Sequence, residues 1–463
     1  QFGGSVGGYI KKDKLFFYAA YESIRAHQQL PVTNTILTNS ARNGIFTYND
    51  TSNTLRQVNL LGLRGIAIDP VMQTLLAQVP DGSKINSDLT GDGRNTGGYR
   101  FNQRNNELND NVTGKIDYNV NVRHAISGSY SWNRDNSDRP DAENDFSVAP
   151  KITNPTHSSL VAASWRWTPS ARLTNEVRGG FNLSYAYFLS SQQFGPYYLT
   201  GTLYSDPVNE FQPQGRTTHT YNLSDDAAWQ RGRHFIQFGF HQQHIGVESY
   251  DASGVIPTYS LAMGQGQRAL ARNELPGIRT TDLATANQLL ATLGGYIDGF
   301  SQTYNVTSRN SGYVAKAPFL RHFLDSDYAF YVQDRWKVVP TLTLTVGLRY
   351  QVPGIVDERD SLELSPVLQG SAVQTLLSNA TLNFAGSSAG RPWSHREWKD
   401  FAPNIGLAWD VFGNGKTAVR GGYSLSYVND QAILAPESIL EANSGLQGLS
   451  TPIIRTTRST QWG

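Results

Sequence analysis

The chain has 463 residues with 39 basic and 38 acidic side chains, a net charge of +1, so no clustered basic surface marks it for nucleic acid. Cys is absent, which excludes a disulfide framework, a thiolate metal centre and a cysteine nucleophile. No run approaches the roughly 18 apolar residues of a membrane-spanning helix, and 43 Gly, 23 Tyr, 20 Phe and 9 Trp against 2 Met are unlike an ordinary cytosolic enzyme.

Six times an alternating run reaches an aromatic residue at a very short turn, and a second alternating run leads away. The segments are Tyr9 to Lys14, Tyr118 to His124, Trp167 to Leu173, Trp229 to His234, Trp336 to Thr341 and Trp409 to Lys416. In the first pair Phe17, Ala19 and Tyr21 alternate with Phe16, Tyr18 and Glu22; in the second Ile126, Gly128, Tyr130 and Trp132 alternate with serines and Asn133. The third sets Val161, Ala163, Trp165 and Trp167 against Ala162, Ser164 and Arg166, and returns with Val177, Phe181, Leu183 and Tyr185 against Glu176, Arg178, Asn182 and Ser184. The fourth is weakest, because Asp225 and Asp226 interrupt its first strand while Ile236, Phe238 and Phe240 form a stripe. The fifth alternates Leu342, Leu344, Val346, Leu348 and Tyr350 with Thr343, Thr345, Gly347 and Arg349. The sixth places Phe401 to Val411 opposite Val419, Gly421, Tyr423, Leu425 and Tyr427.

Successive strand side chains point to opposite faces, so these runs predict twelve strands, each with an apolar and a polar face. Alternation alone fits a soluble sandwich as well as a membrane barrel. Repeated Trp on the apolar face beside the short turns decides for an antiparallel transmembrane β-barrel, with Tyr9, Tyr118, Trp167, Trp229, Trp336 and Trp409 as an aromatic girdle at the periplasmic rim. A mean hydropathy of -0.41 is no obstacle, since only alternate residues meet lipid.

The opposite rim carries long polar connections, at about 28–108, 134–156, 190–216, 251–324, 354–398 and 429–463, expected to be extracellular. Asp69-Pro70 is a helix start and Pro80 its terminator; a second helix is expected from Asp282 to Leu293, ended by Gly294-Gly295. Long loops with structure of their own are usually functional. Tyr197, Tyr198, Tyr204, Tyr250, Tyr259, Tyr296 and Tyr304 stand ready in them as adaptable contacts.

His241, His244 and Glu248 fall within eight residues, yet on a strand the two histidines face opposite ways, so no metal site is assigned. Asp88 to Gly93 lacks the ligand spacing of a calcium loop, and Gly3 to Gly8 lacks the Lys and helix of a phosphate cradle. No H-E-x-x-H occurs, no cofactor is implied, and the chain does not read as an enzyme. Charged residues on the polar faces remain: Arg166, Glu176, Arg178, Arg349 and Arg420. Facing lipid near the midplane would cost each Arg about 2–4 kcal/mol, so they are assigned to the lumen, lining a path, contacting a plug or hydrating the interior.

The segments 3–25, 91–101, 115–133, 328–350 and 401–427 together resemble the barrel of TonB-dependent outer-membrane receptors, the Oar-like group in particular. The resemblance implies a barrel of 22 strands, of which about twelve are present, filled by a plug domain and driven by the inner-membrane TonB complex. Plug, TonB box and secretory signal are not found, and residues 1–463 read as one partial barrel. Implied partners are outer-membrane lipid, TonB through the missing plug, and an extracellular substrate: a siderophore, corrinoid, oligosaccharide or peptide. Adhesion or protein export is the alternative implied role, and a soluble secreted glycan-binding β-protein a further one.

Overall fold

The computed structural model describes residues 1–427 except 144, 265–266, 368–370, 372 and 374–380, together with 438 and 445–458. Twelve strands form one continuous antiparallel path: β1 (Phe2–Lys11), β2 (Leu15–Ala26), β3 (Glu107–Asn121), β4 (His124–Asp138), β5 (Ile152–Ser170), β6 (Leu173–Ser190), β7 (Gln214–Arg231), β8 (His234–Asp251), β9 (Phe319–Val339), β10 (Leu342–Val352), β11 (Asp400–Asp410) and β12 (Ala418–Ser424). Each pairs with its sequence neighbours, so among the described residues β1 and β12 are the two edges. Four turns consist of two residues each: Val122-Arg123, Ala171-Arg172, Gly232-Arg233 and Pro340-Thr341. At Gly232 the backbone takes φ 60°, the left-handed conformation that a tight hairpin turn demands.

The alternation places hydrocarbon on the convex side. Val346 is 56% exposed and Ile405 54%, and Ile116, Val161, Phe238, Val332, Leu348 and Val419 are exposed on the same face. Such a surface is stable against lipid and costly against water. The two aspartates that weakened the fourth hairpin separate cleanly. Asp226 pairs with Glu176 on the inner face, while Asp225 points outward and takes a hydrogen bond from Asn175.

Two expectations are corrected. Tyr9 pairs with Phe16, whose row continues through Asp117 and Ser127 on the inner face. A bulge between Tyr9 and Lys11 and the three-residue turn shift the parity of this hairpin, so Tyr9 stands apart from the other five rim aromatics. Strand β12 ends at Ser424, and Leu425 continues its register opposite Pro403, donating N–H to Pro403 O at 3.0 Å, whereas Tyr427, expected on the lipid face, lines the cavity of the concave side. The connection expected at 429–463 lies largely outside the described residues.

The strands overrun the membrane at the long-loop end. Strand β9 has 21 residues and β5 19. At about 3.3 Å per residue they are about twice as long as a tilted strand needs to cross a ~25 Å apolar band. Their ends carry a small folded cap built from the connections at 27–106, 191–213 and 252–318. Its core joins Phe46, Tyr48, Leu60 and Met72 from the first, Leu199 and Tyr204 from the second, and Leu261, Leu289, Leu290, Leu293 and Ile297 from the third. Helix Pro70–Leu76 starts where expected, with the Asp69 side chain accepting from Val71 N at 3.0 Å, and ends before Pro80. Helix Thr280–Gly294 stops at Gly295, φ 63°. Across the connections, Asp69 N donates to Leu293 O at 2.8 Å, Tyr48 Oη to Pro276 O at 3.0 Å, and Arg64 grips Glu274 with both terminal nitrogens at 2.7 and 2.8 Å.

Two substitutions separate barrel from cap. Val346→Arg is expected to destabilise the inserted protein by about 2–4 kcal/mol, and Thr345→Arg on the inner face far less, read by denaturant titration in lipid vesicles. Leu289→Ala is expected to cost the cap about 2–5 kcal/mol, seen as faster protease cleavage of 27–106 with the barrel strands still protected.

Candidate functional site

Strand register draws residues far apart in sequence into one row across the concave face. Reading along Cα partners from β5 to β11, the row is Arg166, Glu176, Asp226, Gly239, Tyr331, Arg349 and Ala402. The next row toward the cap is Ser164, Arg178, Ser224, His241, Ala329, Gln351 and Asp400. A cavity of about 730 Å³ opens over both, lined by Arg178, Asp226, His241, Arg349 and, from the end of β12, Tyr427.

A missing side chain organises the centre. A Cβ at Gly239 would stand 2.6 Å from the Tyr331 ring and 2.7 Å from Asp226 Oδ1. The glycine therefore lets Tyr331 cross β8 and donate its hydroxyl to Asp226 at 2.7 Å. His241 Nε2 reaches the same oxygen at 3.1 Å, and Arg178 Nε donates to Glu176 Oε1 at 2.7 Å. Arg166 and Arg349 have no hydrogen-bond partner among the described residues. Arg166 is exposed toward the short-turn rim and Arg349 is half-buried over the cavity. Arg420 has the same inward parity, opposite Ala408, and stands exposed on the edge strand, away from the row. The arrangement offers directed charge: Arg349 stands over the same cavity as a carboxylate already held by Tyr331 and His241, and Arg166 lies in the same row toward the short-turn rim.

Of the rim aromatics, Tyr118, Trp167, Trp229, Trp336 and Trp409 lie on the apolar face, paired with Leu15 or Ile126, His124, Leu173 or Ile236, Leu344, and Leu342 or Val419. Trp336 stacks on His234 at 5.4 Å, and His234 Nδ1 pairs with Asp334 at 2.6 Å, so this stretch of rim is partly polar.

The histidines near Glu248 diverge: His241 meets Asp226, His244 Nδ1 meets Ser326 Oγ at 2.7 Å, and Glu248 meets His322 at 3.2 Å. His322, Glu358 and Asp360 do approach one another, with ligand atoms within 4.8 Å. There Arg359 sits 2.9 Å from His322 Nδ1, and Glu358 accepts from the backbone N–H groups of His322, Asp360 and Leu362, so the group is an ion-pair network with its charge already met. Five of the seven loop tyrosines are also reassigned. Tyr198 and Tyr204 are 2% and 3% exposed, and Tyr197, Tyr259 and Tyr296 pack on the cap core, so they build the cap instead of waiting for a ligand.

Residues 1–461 match the family described as outer membrane beta barrel domain. The chain belongs to that family. It is thereby an outer-membrane β-barrel protein, which sets aside the soluble secreted reading. Among solved structures, the outer membrane transporter YddB from Escherichia coli is similar at 11% identity and TM-score 0.40, covering 91% of this chain and 37% of its own. The siderophore receptor PiuA from Acinetobacter baumannii (8%, TM-score 0.33) and the copper transporter OprC (9%, TM-score 0.36) cover 91% of this chain and 48% and 43% of their own. The chain thus spans less than half the length of these three. No curated protein sequence matches it.

The cap is expected to respond to pH. Burial pushes the Asp206 carboxyl up to about 6 and the Glu210 carboxyl up to about 7, with neighbouring carboxylates adding to both. Both hold protons more tightly folded than unfolded, so their stabilising share is complete at low pH and is lost as pH climbs from about 4 through about 7. Protease resistance of 191–213 should fall over that window, and Asp206→Asn should flatten the fall.

Proposed function

We propose that this chain is wall and cap of a TonB-dependent outer-membrane transporter, which takes a large or scarce substrate from outside and passes it along the concave face. The observation that carries the reading is the charged row of Arg166, Glu176, Asp226, Tyr331 and Arg349, lying inward beneath a cap with its own core. A barrel that only anchored loops would need no aligned, partly unpaired charges within it. Arg166 and Arg349 are the residues suited to hold an acidic group of a plug or a passing substrate, through bidentate hydrogen bonds. On this reading the short turns are periplasmic, with the five outward aromatics as their girdle, and the cap is extracellular. The resemblance to Oar-like receptors adds the plug and the TonB drive.

The test is uptake by cells carrying the full-length gene, with and without TonB, over ferric siderophores, corrinoids, oligosaccharides and peptides. Uptake of one class that disappears without TonB is expected. Surface adhesion or protein export that ignores TonB, with no uptake, would replace this reading by the alternative role. Arg166→Ala with Arg349→Ala should lower uptake roughly tenfold at unchanged surface display, the worth of about one charge-assisted hydrogen bond.

A further inference from the structure

The end of the sheet that carries the short turns is strongly basic. Each of the six turns has an exposed cation in or beside it, in chain order Lys12, Arg123, Arg172, Arg233, Lys337 and Lys416, and Lys11, Lys14 and Arg231 are exposed next to them. Asp13 and Asp410 are the acids of these turns, and Asp410 Oδ2 already accepts from Gly415 N at 2.8 Å. None of these Lys and Arg side chains forms an ion pair among the described residues. The whole chain carries a net charge of +1, so the basic excess is local and the remainder of the molecule is net acidic.

The backbone spaces these charges evenly. Lys14, Arg123, Arg172 and Arg233 hold the same place, the last turn residue before a returning strand. In each, the carbonyl accepts from the next hairpin: from Asn119 N at 2.7 Å, Thr168 N at 2.8 Å, Gln230 N at 2.7 Å and Lys337 N at 2.8 Å. Consecutive hairpins lie two strand spacings apart, so the cations recur about every 10 Å along the arc. That is close to the screening length of about 8 Å at physiological salt, and their fields merge into one positive band.

The height of the band decides what it meets. Trp229 lies on the apolar face among the rim aromatics, and the Arg231 guanidinium stands over its ring at 5.3 Å from the centroid. Two residues of strand carry the chain from Trp229 to Arg231, a rise of about 7 Å. The headgroup layer beyond the hydrocarbon is roughly 5–8 Å deep on each side of a bilayer. With the aromatics at the interface, the turn cations therefore end among the headgroups. We infer that the short-turn rim binds the phosphates of anionic phospholipids in the leaflet it faces. Clustered Lys and Arg concentrate anionic lipid at a membrane surface, and a guanidinium fork matches two phosphate oxygens. A soluble acidic protein would have to enter the headgroup layer to reach the same charges. The inference needs the barrel to lie in a membrane and holds whatever the barrel carries.

The experiment places the full-length protein in phosphatidylcholine vesicles and reads quenching of tryptophan fluorescence by brominated acyl chains, carried either on phosphatidylglycerol or on phosphatidylcholine. Trp165, Trp167, Trp229, Trp336 and Trp409 stand near the short turns and report on lipid there. At 50 mM salt, phosphatidylglycerol is expected to be preferred about fivefold, the worth of one cation at an anionic surface. In 1 M NaCl, where screening acts within about 3 Å, the ratio should fall toward one. Arg123→Gln, Arg172→Gln and Arg233→Gln together should bring it below twofold at 50 mM salt. The matched set Lys84→Gln, Arg272→Gln and Arg309→Gln, exposed in the connections at the opposite end, should leave it unchanged. Should the rim triple fail to insert, Arg172→Gln alone and the wild-type salt series decide, the single change being expected to lower the ratio measurably. A ratio near one at 50 mM salt, a preference that survives 1 M NaCl, or one untouched by the rim substitutions would overturn the inference. Capture of poly-glutamate that the rim triple abolishes, with a lipid ratio near one, would assign the band to an acidic protein instead.

Discussion

The barrel wall depends on a single constraint, that every backbone N–H and C=O inside a membrane must find its partner in a neighbouring strand. Satisfying that ladder fixes register, and register with a period of two fixes which side chains meet hydrocarbon. The pairings place Trp167, Trp229, Trp336 and Trp409 on one side of the sheet. Tyr9, beside the three-residue turn and paired with Phe16, falls on the inner-facing set instead.

The same ladder makes the polar site. Arg166 and Arg349 are 183 positions apart and belong to one row only because five intervening strand pairings hold their offsets. Gly239 removes one side chain from that row, and the space lets Tyr331 bridge to Asp226. A site of this kind inherits its precision from the sheet, and no loop has to close to form it.

Much of the wall was legible in sequence because hydrophobic alternation survives in short windows, as in Leu342 to Tyr350. The inward parity of Arg166, Glu176, Arg178 and Arg349 could be read the same way. Their alignment could not, since lateral offset between strands is set by turn geometry and bulges. Asp226, His241 and Tyr331 were missed for this reason: each is an ordinary polar residue in its own strand and gains meaning only across it. The cap was illegible for a different one. Tyr198, Leu261 and Leu289 sit in segments that lack strong periodicity, and their burial is decided by contact between connections far apart in the chain. Only the local signals at Asp69-Pro70 and Gly294-Gly295 announced helices there.

Stitching one hydrophobic core from three separate connections has a consequence for biogenesis. Phe46, Leu199 and Leu289 can meet only after β2 to β9 have been laid in register, since those strands bring the connections together. The cap thus has high contact order and must assemble last, from segments that have no finished core until the wall brings them together. Its folding is then a report that the wall was built correctly, and a register slip in any strand between would leave apolar loop surface exposed to surveillance proteases.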